Sequence, residues 1–122
     1  MQPEKFSIRS RLISFTHASR GIRQFVWREH NARIHFVATV AVVIAAVVLK
    51  VKGAEAAALA IVTGMVWMAE MINTCFERMA NHITKERHPE IKIIKDLAAG
   101  AVLVAAIIAV IVGLFIFIPK IL

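Results

Sequence analysis

The sequence predicts an all-α membrane protein, with three transmembrane helices behind an N-terminal amphipathic surface region. Three observations point there. Of 122 residues, 59% are hydrophobic, against about half in a soluble domain. The apolar residues gather in three runs, 34–49, 54–77 and 97–118, each near the ~20 residues that a helix needs to cross the hydrocarbon. The basic residues lie before, between and after these runs rather than inside them.

Residues 1–33 interleave Phe6, Ile8, Leu12, Ile13, Phe15, Ile22, Phe25 and Val26 with Arg9, Arg11, Arg20, Arg23, Arg28 and Arg33. That is too polar to span. The pattern suits one or two helices in the headgroup plane, arginines towards phosphates. Ser19-Arg20-Gly21 is a candidate break. The first span, Ile34 to Leu49, carries His35 and Thr39 as its polar residues; Lys50 and Lys52 mark its far end and Gly53 the turn. Its β-branched content would suit a strand. An unpaired strand, however, leaves its backbone polar groups unmet in lipid, so a helix is expected.

The second span, 54–77, has Glu55 near its start and the small residues Ala56, Ala57, Ala58, Ala60, Gly64 and Ala69, which allow close helix approach. Beyond Arg78 the helix is expected to run into the headgroup region. His88-Pro89 should break it, with Pro89 opening the next helix. The third span, Leu97 to Ile118, is closed by Pro119-Lys120.

The net charge of +7 could suit nucleic acid, but its location beside apolar spans points to anionic headgroups instead. Twelve of the fifteen Lys and Arg residues lie before the first span or in 78–95, whereas Lys50, Lys52 and Lys120 lie at the opposite ends. The positive-inside rule therefore puts the N-terminus and the 78–95 loop in the cytoplasm. The N-terminus lacks a signal-peptide pattern, so insertion is expected to rely on the internal spans. The single cysteine, Cys75, forms no internal disulfide, and the five histidines show no zinc-ligand spacing.

Chemistry is concentrated at Glu70-Met71-Ile72-Asn73-Thr74-Cys75-Phe76-Glu77. Glu70, Asn73, Glu77 and Asn81 fall within roughly 80° of one helix face. Glu70 lies eight positions before Arg78, about 12 Å inside the apolar run. An acid at that depth normally faces a protein interior or a wet cavity. The shallower Glu77 could hold a divalent cation, which takes oxygen ligands from carboxylates, phosphates and water. The deeper Glu70 could accept a proton from a lipid hydroxyl, with Asn73 positioning either acid. Two further clusters flank it: Lys95-Asp96 before the third span, suited to polyphosphate, and Glu29 with His30, Asn31, Arg33 and His35 before the first. A solvated interfacial role fits either cluster taken alone. Neither a GxxxxGK[ST] loop nor the kinase Gly-rich, HRD and DFG set is present.

Glu70-x-x-Asn73-Thr74-x-x-Glu77, then His88, then Lys95-Asp96 leading into Ala98-Ala99-Gly100-Ala101-Val102-Leu103, resembles the small bacterial membrane lipid kinases, the diacylglycerol kinase and undecaprenol kinase family. Gly21-Ile22-Arg23 and Glu29-x-Asn31-x-Arg33-Ile34-His35 fit as well, and the resemblance covers about residues 6 to 120. It implies a homotrimer of three-helix subunits in the bacterial inner membrane. It also implies ATP- and Mg2+-dependent phosphorylation of a lipid hydroxyl at the cytoplasmic face.

By position, Glu70 matches the family's catalytic base and Asn73 its site asparagine. Glu29 and Glu77 match its metal-holding, nucleotide-contacting acids. Glu86, Arg87, His88, Lys95, Asp96 and His17 match nucleotide contacts. Arg23, Arg33 and Ala99, with Glu70, fall in the lipid-binding region. The sequence departs from the family at Asn81, where an acid is usual, and at Cys75 and Phe76. The 29–35 segment and the ending Pro119-Lys120 look more like the undecaprenol-kinase branch. A three-helix subunit is too small to enclose such a site, so the site is expected between subunits. The rivals from other classes are a small transport or channel subunit and a structural helper subunit, which would also place acids inside a span.

Overall fold

The computed structural model describes residues 5–122; residues 1–4 of the expected surface region lie outside the described part. The described chain is all-helical: α1 (Ile8–Arg28), α2 (His30–Val48), α3 (Ala54–Ile83) and α4 (Pro89–Ile121). Three of these, α2, α3 and α4, are long and apolar enough to cross a membrane. With 30 residues, α3 measures about 45 Å and exceeds the ~30 Å hydrocarbon layer. One of its ends therefore reaches into polar surroundings.

The candidate break in α1 does not occur: the helix runs unbroken through Ser19-Arg20-Gly21. Ser19 Oγ donates to the Phe15 carbonyl at 2.9 Å, so this hydroxyl is satisfied inside the helix rather than competing with it. A single helical glycine costs only about 1 kcal/mol against alanine. The chain between α1 and α2 is one residue, Glu29, in extended conformation (φ −94°, ψ 128°). Its own side chain caps neither helix, which leaves the carboxylate available elsewhere.

After α2 the chain reverses through a Schellman motif. Val51 N–H bonds to Ala46 O at 2.9 Å and Lys50 N–H to Val47 O at 3.3 Å, with Lys50 left-handed at φ 57°. Gly53 precedes α3 at φ 65°, ψ −136°, a conformation that L side chains rarely adopt. The turn thus uses Lys50 as well as the expected glycine. Pro89 opens α4 as expected, and His88 Nδ1 accepts from Glu90 N–H at 3.2 Å. Pro119 does not end α4, which continues to Ile121. A proline this close to the terminus removes one N–H bond without having to break the helix.

The body of the molecule is the α3–α4 pair, with α2 against α3 and α1 against α2. At the far end from Glu77, Lys120 Nζ pairs with Glu55 Oε2 at 2.9 Å. The buried stripe of α3 reads Leu59, Val62, Val66, Glu70, Asn73 and Ala80, at the three- and four-residue spacing of one helix face. Half-way along, it changes from apolar to polar. Glu70 and Asn73 are the buried polar residues of the described chain. Most large apolar side chains, by contrast, are exposed, including Val43, Ile44 and Val47 of α2 and Leu103, Ile107 and Val110 of α4. Apolar surface on this scale is covered by lipid or by partner helices.

Candidate active site

Glu70 does not point into hydrocarbon. It is 3% exposed and both carboxylate oxygens are engaged by α2. Oε1 accepts from Asn31 Nδ2 at 3.0 Å, and Oε2 lies 3.3 Å from His35 Nε2. Both oxygens of this buried carboxyl group thus have polar partners. One helical turn further along α3, Asn73 Nδ2 donates to Glu77 Oε1 at 3.2 Å. The Asn73 carbonyl oxygen is buried without a hydrogen-bond partner. Such an orphan costs about 1–3 kcal/mol.

The junction residue Glu29 accepts from Arg78 Nη2 through Oε1 at 2.8 Å. Arg78 follows Glu77 in sequence, so the junction acid is brought to the Glu77 end of α3. Lys95 on α4 donates to Asn81 Oδ1 on α3 at 2.7 Å. Asn81, Thr84, Glu86, Arg87, His88 and Lys95 are among the residues lining a cleft of about 690 Å³ where α3 hands over to α4. Asp96 pairs with Lys92 at 2.6 Å and lies outside that cleft's lining.

The remaining sequence candidates are peripheral. Arg33 donates to the Trp27 carbonyl at 3.2 Å and thereby ties α2 to the last turn of α1. His17 and Arg23 are exposed on α1, outside each of these hydrogen-bond groups. Ala99 is exposed, whereas its neighbours Ala98 and Ala101 line an apolar groove of about 660 Å³ between α3 and α4. Asn73 lines the same groove.

The profile of the family described as prokaryotic diacylglycerol kinase matches residues 16–117, nearly the whole chain. The chain belongs to the prokaryotic diacylglycerol kinase family. As a member of this family it is a kinase. It is 39% identical over 107 residues to an undecaprenol kinase of Bacillus subtilis, covering 88% of this chain and 87% of that protein. It is also 39% identical over 112 residues to a diacylglycerol kinase of Synechocystis, covering 91% of this chain. It spans only 64% of the length of that second relative.

Two side chains of this candidate site have no role assigned from sequence: Asn31 and His35, the partners of Glu70. Their signal is the spacing of Asn31, His35 and Thr39, which at i, i+4 and i+8 form one polar stripe on a helix whose other polar residues are His30 and Arg33 in its first turn. The stripe faces α3 along its length, since Trp67 Nε1 donates to Thr39 Oγ1 at 2.8 Å.

The acids present fit a hard divalent cation in part. Glu29 and Glu77 each commit one oxygen to the contacts above. No group of three or more His, Cys, Asp or Glu residues suited to a metal occurs among the described residues. A donor set of two carboxylates is what Mg2+ takes when phosphate oxygens and water complete the shell.

Proposed function

We propose that this chain is an ATP- and Mg2+-dependent lipid kinase of the bacterial inner membrane. It phosphorylates the primary hydroxyl of a membrane lipid at the cytoplasmic face, with undecaprenol favoured over diacylglycerol. The observation that carries this reading is a carboxylate, Glu70, buried and held by two donors at the end of an apolar run. About two turns further along α3 lies Glu77, and beyond it the cleft whose polar groups could receive a nucleotide.

In this reading the lipid chain occupies the α3–α4 groove lined by Met68, Ile72, Asn73, Phe76 and Leu97, and its hydroxyl passes Asn73 to reach Glu70, which faces α2 outside that lining. Glu70 takes the hydroxyl proton. The oxygen bonds to the γ-phosphorus, the bond from γ-phosphorus to the bridging oxygen breaks, and ADP leaves. Glu29 and Glu77 would hold Mg2+, which neutralises charge on the β- and γ-phosphates when bound. The cation would compete with Arg78 for Glu29. Lys95 faces the phosphates from the cleft, with Glu86, Arg87 and His88 on its rim. His88 Nδ1 is used by Glu90 N–H, so its Nε2 is the atom left for nucleotide. Asp96 and His17 are assigned to the nucleotide, and Arg23, Arg33 and Ala99 to the lipid, on the family resemblance. Positioning and charge stabilisation supply most of the rate in phosphoryl transfer.

The chain is taken as one membrane domain, with 1–33 as an amphipathic surface region and spans at 34–49, 54–77 and 97–118. The 78–95 stretch, which ends α3, turns at 84–88 and begins α4, is cytoplasmic. The extent of exposed apolar surface and the unpartnered Asn73 carbonyl support completion of the site by further copies, as a homotrimer. Nucleic acid has no part in it.

Purified protein incubated with γ-labelled ATP and either undecaprenol or diacylglycerol tests this. Label should enter the organic phase in both, faster with undecaprenol. Label in neither lipid, with ion flux in vesicles, would replace the kinase by a transport subunit.

Asn81 offers a second expectation. Its side-chain oxygen accepts the Lys95 bond that an aspartate would also accept, so Asn81→Asp should keep ATP saturation near that of the unmodified protein. Asn81→Ala removes the acceptor. It should raise the KM for ATP about fivefold, the worth of roughly 1 kcal/mol at an exposed site, with kcat little changed. Steady-state ATP titrations check it.

A further inference from the structure

We propose that His35, together with Asn31, is the positioning pair of the reaction. It holds the Glu70 carboxylate in the orientation in which it accepts the substrate proton. This rests on the reading of Glu70 as the base.

The geometry begins with the register of α2 on α3. Phe25 of α1 packs edge-on against Trp67, ring centroids 5.9 Å apart. Trp67 Nε1 donates to Thr39 Oγ1 at 2.8 Å, and Thr39 Oγ1 donates to the His35 carbonyl at 2.6 Å. The Trp67 indole thus locks the α2 turn that carries His35. Trp67 and Glu70 are three residues apart on α3, and Thr39 and His35 four apart on α2, so fixing the first pair brings the second together. The result is a ladder in which each polar side chain on the α2 stripe meets one on α3.

The chemistry of the pair follows from occupancy. An ionised carboxylate only accepts, so His35 donates to it through Nε2–H. Asn31 donates to the other oxygen. With both oxygens held, the carboxyl plane is fixed, and each oxygen keeps a further lone pair for an incoming hydroxyl. The Glu70 side chain is 4% exposed and that of His35 20%. Loss of the imidazole therefore leaves one carboxylate oxygen buried and unpaired, and water cannot readily replace it. A base that is free to rotate is no longer aimed at the hydroxyl at the moment of attack.

A purely structural histidine would make a different set of predictions, and a cycle of variants separates the two. Kinase rates are measured with labelled ATP for His35→Leu, His35→Gln, Asn31→Leu, Glu70→Gln and the double variant His35→Leu/Glu70→Gln. Helicity and assembly are monitored alongside. His35→Leu should lower kcat about ten- to a hundredfold, the worth of one hydrogen bond to a charged group, with the KM for ATP within about twofold. His35→Gln, whose amide N–H can reach the same oxygen, should recover most of that loss. In the Glu70→Gln background His35→Leu should cause no further loss, because the histidine acts only through the carboxylate.

An unchanged kcat in His35→Leu beside an inactive Glu70→Gln overturns this proposal and leaves the base assignment standing. A Glu70→Gln variant at the unmodified rate overturns the base assignment itself. Should His35→Leu fail to fold, Asn31→Leu, at an exposed position on the first turn of α2, carries the same expectation. Unchanged kcat there overturns the proposal.

Discussion

Glu70→Gln is expected to reduce lipid phosphorylation about 10²- to 10⁴-fold, the range supplied by a positioned general base, while ATP still binds. The substitution is unusually clean here. Glutamine keeps its carbonyl oxygen for Asn31 Nδ2, the present partner of Oε1. Its amide then faces His35 Nε2, now across from Oε2. That imidazole can take the tautomer with its proton on Nδ1, so that Nε2 accepts from the amide. Both hydrogen bonds survive, nothing buried is left unpaired, and the fold should be retained. Only the capacity to take a proton is lost. Label transfer measured beside nucleotide binding checks it. A variant with normal turnover would remove Glu70 from the base role, whatever else the site does.

Glu77→Gln should act on the metal instead. The glutamine carbonyl can still accept from Asn73 Nδ2, as Glu77 Oε1 does now, so the local helix face keeps its bond. What disappears is one of two carboxylate charges near the α1–α2 junction. Losing even an outer partner of a metal ligand weakens binding about 10- to 100-fold. Losing a ligand itself should raise the Mg2+ concentration for half-maximal activity by at least about tenfold, or abolish activity altogether. A Mg2+ titration at saturating ATP reads this directly, and superimposable curves would exclude Glu77 as a ligand. The two variants should differ in kind. Excess Mg2+ should restore part of the Glu77→Gln rate and none of the Glu70→Gln rate.

Local signals in the sequence were enough for the α3 half of the site. Glu70, Asn73 and Glu77 share a face because 3.6 residues make a turn, a fact of one helix that needs no partner. The stops and starts were local too: Pro89 opens α4 and Gly53 opens α3. Ser19-Arg20-Gly21 was misleading for a physical reason, since a serine that bonds back to the carbonyl four residues earlier costs the helix little. The α2 half was much less legible. Asn31 and Glu70 are 39 residues apart, and no periodicity within either helix states which faces meet.

The sequence alone therefore determined that the chain is helical and apolar in three long segments, which ends of those segments carry the positive charge, and that an acid lies deep in the second segment. These follow from composition and from the 1.5 Å rise and 100° turn of a helix. Tertiary structure alone decided where that acid faces and who holds it. Phe25 seats Trp67, Trp67 sets the register of α2 through Thr39, and only at that register do Asn31 and His35 reach the two oxygens of Glu70. Cross-helix register is a property of packed surfaces, in which each contact depends on the others, so it comes into being only once the helices dock.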